Sequence, residues 1–208
     1  MPFQLLPAVP ADAEEISRIF VACSTSPRIL LESGNVDRAE YAAWHYREVL
    51  GSLSVEDPNI VRIKLVDEDS GKIAAFAQWG FTPHAWQIEQ QFKKPNPYPR
   101  GTNTVLRTRF SEGMKAMGAR NKPDEAHHIL MNLATAPEFQ RRGAGRTLVK
   151  YGLERADKDG IITRLDGSPS GVPLYRTLGF EEVDRLEIPL EEFGGEGKHV
   201  HGKWGFMA

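Results

Sequence analysis

The chain has 208 residues, 40% hydrophobic and 26% charged, enough for one sizeable core with additions and short for two full domains. Its net charge of -2 provides no global attraction to nucleic acid or an anionic membrane, and no apolar run approaches the ~20 residues of a membrane span. The single cysteine, Cys23, excludes an internal disulfide, and no Cys/His spacing suits zinc.

The amino terminus has no Lys or Arg and is broken by Pro2, Pro7 and Pro10, so nothing marks the chain for secretion. A cytoplasmic protein with an inert, buried Cys23 is expected. Residues 3–6 can form a short strand. From Asp12 a helical pattern puts Ile16, Ile19, Phe20 and Cys23 on one face, and Pro27 ends it. Asp37 can cap a second helix over residues 37–50, with Tyr41, Trp44, His45 and Val49 as its stripe and Gly51 as its stop. Residues 60–66 alternate with period two, DEDSGK turns, and residues 72–79 resume the extended pattern, which reads as an antiparallel hairpin.

Residues 82–123 differ in character, with Pro83, Pro95, Pro97, Pro99 and Pro123 among Trp86, Phe92 and Tyr98. A helix over residues 104–119 carries Leu106, Phe110, Met114 and Met117 at near-helical spacing. The segment holds eight basic and two acidic residues, +6 against -8 for the remainder. Two readings stand: a solvated basic face over a core-facing stripe, or a lid that covers a substrate and attracts an anion.

From His127 the units become regular. HILMNLAT is a near-continuous apolar strand, residues 145–157 form a helix, IITRLD is a strand, and a short helix ends at Leu178 before Gly179. The long helix buries Leu148, Val149, Gly152, Leu153 and Ala156, so one face can cover a sheet, and Gly152 implies a close approach to it. FEEVDRLEIPL and HVHGKWGFM supply the last strands; there are no internal repeats. Strand, helix, strand in this order implies a right-handed parallel crossover.

Residues 130–146, LMNLATAPEFQRRGAGR, organise the whole. In QRRGAG, Gly143 and Gly145 remove side chains where backbone amides would approach a ligand, and the amides of a helix start are unpaired donors. Arg141, Arg142 and Arg146 add cations beside the positive end of the helix dipole, which is unfavourable unless an anion sits there. A P-loop is excluded because its lysine is missing. A dinucleotide fingerprint is half matched by Gly143 and Gly145, with Asp166 where a ribose-binding acid belongs. Yet Leu148 stands at its third glycine, and APEFQRR separates the strand from the first.

Gln140, Arg141, Arg142, Gly143, Ala144 and Gly145, followed about thirty residues later by Leu174, Tyr175, Gly179 and Phe180, fill (Q/R)xxGx(G/A) and LYxxxGF. In these paired motifs the chain resembles the GNAT superfamily of N-acetyltransferases, closely over residues 127–190. The resemblance extends toward the amino terminus through Gly80, and the insert is loosely similar to that of fungal-type small-molecule members. It implies an α/β (α+β) acyl-CoA N-acyltransferase fold, a mixed central sheet of about seven strands flanked by helices, in a single domain over residues 1–208. The insert at about 82–123 would lie between the third and fourth strands.

The resemblance also implies a site. Acetyl-CoA would be the acyl donor, with no metal. The fourth strand would splay from its neighbour, and backbone groups near Leu133, Ala134 and Thr135 would pair with the pantetheine arm and polarise the thioester, a donor contributing about 3 kcal/mol. Amides of Arg141 to Arg146 would hold the pyrophosphate, with Gln140 of the same motif also counted as cofactor-binding. Ser168 stands where many members carry a cofactor-binding asparagine, and Ser168 or Ser170 could cap the following helix. Tyr175 is the implied acid toward the departing thiolate, although a phenol near pKa 10 against a thiol near ~8.5 makes full transfer uphill by about 2 kcal/mol.

For a base, period-two counting from Leu133 gives Met131 and Ile129, neither ionisable, and then His127, which could act through water with Glu125 behind it. The alternative is an amine that arrives neutral, as anilines and hydrazines do. The expected reaction is direct acetyl transfer to a primary amine of a small molecule or peptide, without nucleic acid or membrane partners and with a homodimer left open. Cys23 is far in sequence from the motifs, which argues against a covalent intermediate. A non-catalytic acyl-CoA-binding protein and a nicotinamide-dependent oxidoreductase are the alternatives.

Overall fold

The computed structural model describes residues 2–82, 96–121 and 126–206. Within these, the strands are β1 (Phe3–Pro7), β2 (Ile60–Asp67), β3 (Ile73–Thr82), β4 (His127–Thr135), β5 (Ile162–Gly167), β6 (Glu181–Pro189) and β7 (Lys198–Phe206). The helices are α1 (Ala13–Cys23), α2 (Pro27–Ser33), α3 (Arg38–Leu53), α4 (Thr104–Arg120), α5 (Ala144–Asp159) and α6 (Val172–Thr177). The strands form one seven-stranded mixed sheet in the order β1-β2-β3-β4-β5-β7-β6. Only the β4–β5 pair is parallel; β2 and β3 are the expected hairpin.

Register decides what each face meets. Phe76 and Gln78 of β3 point to one face, where Phe20 of α1 packs edge-on against Phe76 at 6.0 Å. Trp79 points to the other, under α5, where a Cβ on Gly152 would come within 2.2 Å of the Trp79 ring. That contact is the close approach expected of Gly152, and Leu148, Val149, Leu153 and Ala156 are buried beside it as the helical pattern required. The second half of the first face, over β6 and β7, is covered by α4. Leu106 and Met117 are fully buried there with Ile188, and Phe110 and Met114 pack against them.

The described part of the insert is therefore a packed cover. Two of its arginines are engaged, Arg107 with Glu32 at 3.3 Å and with the Tyr98 hydroxyl at 3.0 Å, and Arg120 with Asp184 at 2.9 Å, while Arg100 and Arg109 are exposed. Trp86, Phe92, Lys93, Lys94, Lys122 and Glu125 lie outside the described residues. Two element boundaries differ from expectation. Pro27 does not simply end α1; it opens α2, where a missing N–H costs nothing and Ser26 Oγ caps Ile29 N–H at 3.4 Å. Asp37 caps α3 as expected, accepting from Ala39 and Glu40, but the helix runs through Gly51 to Leu53 because Gly51 keeps a negative φ. Among the described residues no helix is long and apolar enough to cross a membrane.

Candidate active site

β4 and β5 pair only where His127 to Leu130 face Ile162 to Leu165. Beyond that point β4 continues against β3, and Asp166 and Gly167 continue against β7. A gap opens between two strands of one sheet. Ala136 N–H donates to Ala74 O at 2.9 Å, so alternation along the antiparallel pair turns the backbone of Ala134 to β3 and that of Leu133 and Thr135 into the gap. The Thr135 carbonyl is already used, accepting from Gln140 Nε2 at 3.1 Å and from Cys23 Sγ at 3.3 Å.

At the end of the gap lies the glycine turn. Gly143 precedes α5 with φ 89°, a conformation other residues rarely adopt, and Arg141 shares the left-handed region at φ 63°. The first helical bond is Thr147 N–H to Gly143 O at 3.0 Å, so the amides of Ala144, Gly145 and Arg146 have no intrahelical acceptor. A Cβ on Gly145 would sit 3.3 Å from Thr135 Oγ1 and 3.4 Å from Leu174, which is why the turn can lie directly against both motifs. Arg146 donates to Thr177 Oγ1 at 2.8 Å, tying α5 to α6, and the Arg142 guanidinium lies 5.5 Å from the Phe139 ring. These unpartnered amides beside cations can take a phosphate group.

α6 brings Tyr175 to the β5 side of the gap. Its ring is buried against Phe180, 5.9 Å away, and a Cβ on Gly167 or Gly171 would meet it at 3.0 and 2.7 Å. Burial pushes the phenol up to about 12, so it is a proton donor throughout the neutral range. Gly179 follows the helix at φ 86° and stops it as expected. The capping role expected of Ser168 or Ser170 is not found: Gly171 occupies the cap, and the two exposed hydroxyls bond each other at 3.0 Å. Ser168 stands directly after β5, at the mouth of the gap.

On the opposite face of the sheet is a cavity of about 800 Å³. Phe20, Trp44, Val49, Phe76, Ile129 and Met131 form apolar walls, and Gln78, Asn132, Ser52, His45, Glu48 and Asp166 supply polar groups. Asn96 and Pro97 close one side.

The profile of the "Acetyltransferase (GNAT) family" matches residues 36–180. The chain belongs to this family. A [ribosomal protein bS18]-alanine N-acetyltransferase of Salmonella typhimurium is 30% identical over 116 residues, 49% of this chain and 75% of that protein. Among solved structures, mosquito arylalkylamine N-acetyltransferase like 5b matches with TM-score 0.62 and 15% identity, covering 100% of both chains. The PaiA N-acetyltransferase of Thermoplasma acidophilum, in complex with coenzyme A, matches with TM-score 0.53 and 14% identity, again covering 100% of both. These likenesses confirm the fold.

As a GNAT acetyltransferase, the chain brings together the two motifs that its sequence separates, but it arranges the faces of β4 differently from the period-two count. Gln78 pairs with Asn132 and Trp79 with Leu130, so Met131 is an extra residue in β4, a bulge. Leu133 therefore shares its face with Leu130 and His128, under α5, whereas Asn132 shares the cavity face with Ile129 and His127. His127 is buried at the far end of β4, opposite Thr82, and is not among the described residues lining the cavity. At ~3.3 Å per residue it stands about 16 Å along the strand from Asn132.

Three features escaped the sequence. Cys23 is half-buried rather than buried, and it sits at the turn, its thiol pushed up by burial and only partly countered by its bond to Thr135. Asn132 is exposed to the cavity and donates to Gln78 Oε1 at 3.3 Å, which Ser52 Oγ also donates to at 2.7 Å. His45, read as a packing residue, lines the cavity with a buried, unpartnered Nε2; burial first, then Arg107, takes its pKa down to about 4. Helical spacing alone could have flagged His45, because it lies beside Trp44 and one turn before Val49.

Proposed function

We propose that the protein transfers acetyl from acetyl-CoA to a primary amine of a small molecule or peptide by direct attack. The observation that carries this reading is the meeting, at one splayed strand pair, of a glycine turn with free amides and a buried phenol. The family uses acetyl-CoA, and the Thermoplasma neighbour holds coenzyme A. Bound acetyl-CoA supplies the thioester carbonyl and the leaving thiolate.

The protein's part is largely backbone. First-turn amides of Ala144, Gly145 and Arg146, with the arginines beside them, hold the pyrophosphate, and Gln140 and Ser168 flank the arm. Leu133 N–H, aimed into the gap, polarises the acyl oxygen, a role in which one donor contributes about 3 kcal/mol. Thr135 can offer its N–H, since Gln140 and Cys23 occupy its carbonyl. In the transfer the amine nitrogen bonds the acetyl carbon, the C–S bond breaks, and one proton passes from nitrogen to sulfur overall. With Tyr175 at about 12 and a thiol near ~8.5, full proton transfer from the phenol is uphill by about 5 kcal/mol. Tyr175 therefore stabilises the thiolate by a hydrogen bond, and solvent completes the protonation.

Thermal unfolding with acetyl-CoA and with NAD(P), followed by a free-thiol assay over an amine panel, tests this. At a hundredfold excess over Kd, acetyl-CoA adds about 2.7 kcal/mol, and the nicotinamide nucleotides add nothing. Absence of an acetyl-CoA shift would sink the reading. Tyr175→Phe lowers turnover roughly tenfold to a hundredfold, the worth of a hydrogen bond to a charged group, with acetyl-CoA affinity nearly unchanged. A large loss of affinity instead would make Tyr175 structural.

A further inference from the structure

We propose that Asn132 receives and orients the acceptor amine: its side-chain oxygen takes one N–H of a weakly basic aryl amine or aryl hydrazine, with Gln78 and Ser52 as positioning residues behind it. This rests on the acetyl-transfer reading above and adds the half of the site which that reading leaves open.

The bulge at Met131 puts Asn132 in place. It coincides with the last β4–β5 pair, Leu130 with Leu165, so Asn132 stands at the apex of the gap, next to Leu133, whose backbone faces the acyl site. Its same-face neighbours on the strand, Ile129 and Ala134, are buried, while Asn132 opens to the cavity. A polar side chain at the centre of a sheet between apolar walls has a use or is a liability.

The amide has a fixed direction. Gln78 is 1% exposed, and its Nε2 faces Met131 Sδ at 3.6 Å. A sulfur accepts an N–H weakly and repels a carbonyl oxygen, so Gln78 Oε1 must face Ser52 and Asn132. Ser52 Oγ donates to it at 2.7 Å and Asn132 Nδ2 at 3.3 Å. One N–H of Asn132 Nδ2 is thereby committed to Gln78, which orients the amide and leaves Oδ1 as an acceptor with the second N–H beside it. An acceptor that cannot take a proton suits an amine that arrives unprotonated.

The cavity's ionisable groups do not replace it. From α3 come His45, Arg47 and Glu48, and from β5 comes Asp166. Asp166 pairs with Lys203 of β7 at 3.0 Å, Glu48 is exposed at the rim, and an imidazole at about 4 takes few protons at pH 7. The walls of Phe20, Trp44 and Phe76 fit an aryl group.

The test uses the full chain with aniline, phenylhydrazine and 2-phenylethylamine as probes, thiol release as the signal, and pH as the variable. The expected result is that kcat/KM at pH 7 is higher for aniline and phenylhydrazine, and that the inflection of the pH profile moves with the pKa of the amine. Asn132→Ala lowers kcat/KM for the amine roughly tenfold to a hundredfold with the acetyl-CoA thermal shift unchanged. Asn132→Asp keeps size and an acceptor oxygen but loses the Nδ2 donor to Gln78, so at neutral pH its activity lies between that of Asn132→Ala and the wild type, and it adds an inflection of its own in acid. Ser52→Ala and Gln78→Met raise the amine KM about threefold to tenfold and leave kcat nearly unchanged. Wild-type kinetics in Asn132→Ala, turnover of no probe despite acetyl-CoA binding, or loss of turnover together with the inflection in Glu48→Gln each overturn the proposal while acetyl transfer stands. A missing acetyl-CoA shift overturns both.

Discussion

The two sides of β4 are made of different material. Toward the glycine turn the site is backbone: Leu133 and Thr135 facing a gap, Gly143 in a left-handed conformation, and amides without intrahelical acceptors. Toward the cavity it is side chain: Asn132 fixed by Gln78, Gln78 fixed by Ser52, and aromatic walls. A backbone site tolerates any sequence that keeps the glycines and the splay. A side-chain site changes with each residue that lines it, so one family can keep a donor and vary the acceptor.

The largest expected effect comes from breaking the backbone side. Gly143→Val places a β-branched residue at φ 89°, which costs roughly 1–3 kcal/mol and moves the amides of the turn. Acetyl-CoA affinity, measured by titration calorimetry, is expected to fall by about thirtyfold or more, while the cavity side keeps its fold. An unchanged affinity would mean that the turn does not hold the donor.

The contrast also explains what could be read from the chain. Glycines at fixed spacing are visible in a sequence because only they satisfy a positive φ or a close contact, and Gly143, Gly152 and Gly179 each proved necessary in that way. The sheet, its flanking helices and the turn followed from such marks and from periodicity. The acceptor side depended on register, and one extra residue, Met131, inverts every later assignment of face along β4. Nothing local in ILMNLA distinguishes a bulged strand from a regular one, so a period-two count groups Leu133 with His127 and misses Asn132. Cys23 and Gln140 meet across 117 positions, a contact that no spacing rule carries. The first helix does end before Pro27, but α2 is not legible from it, because a proline that follows one helix equally well begins another.

The same contrast has a pH signature. On the face that carries the cavity and α4, burial lowers His45, His199 and His201 to about 4, with Arg28 adding to the effect on the last two and Asp166 opposing it on His201. Under α5, His128 moves in the same direction for the same reason, partly countered by its bond to Asp159. The folded state therefore binds fewer protons than the unfolded chain below the ordinary imidazole value near 6.5. The stability these groups provide is complete above that value and is lost as pH falls toward 4. The carboxylates lowered by hydrogen bonds and charged neighbours, Asp159 by His128, Asp184 by the Arg185 N–H and Asn121, and Glu187 by Lys198, act only below their own ordinary values of 3.8 to 4.5, so the window from 6.5 to 4.5 belongs to the imidazoles. The melting temperature should be flat from pH 8 to 7 and then fall by several degrees. His199→Leu, beside Phe110 and Ile188, should remove part of that fall; an identical profile would mean that folding does not lower the pKa of His199.

The smallest expected effect is the most discriminating for mechanism. Cys23 reaches the turn, donating to Thr135 O at 3.3 Å, so sequence distance no longer argues against an acetyl-cysteine intermediate. Chemistry does. Burial is the largest influence on the thiol and raises its pKa above the ordinary value, which leaves little thiolate at neutral pH. Gln140 Nε2 holds the same carbonyl at 3.1 Å, so the backbone of Thr135 stays in place without the sulfur. Cys23→Ala should therefore change kcat by less than about twofold, since one of two bonds to a single acceptor is dispensable. A covalent route would instead lose roughly three orders of magnitude or more. It would also release one equivalent of coenzyme A from acetyl-CoA before any amine is added, whereas direct attack releases none.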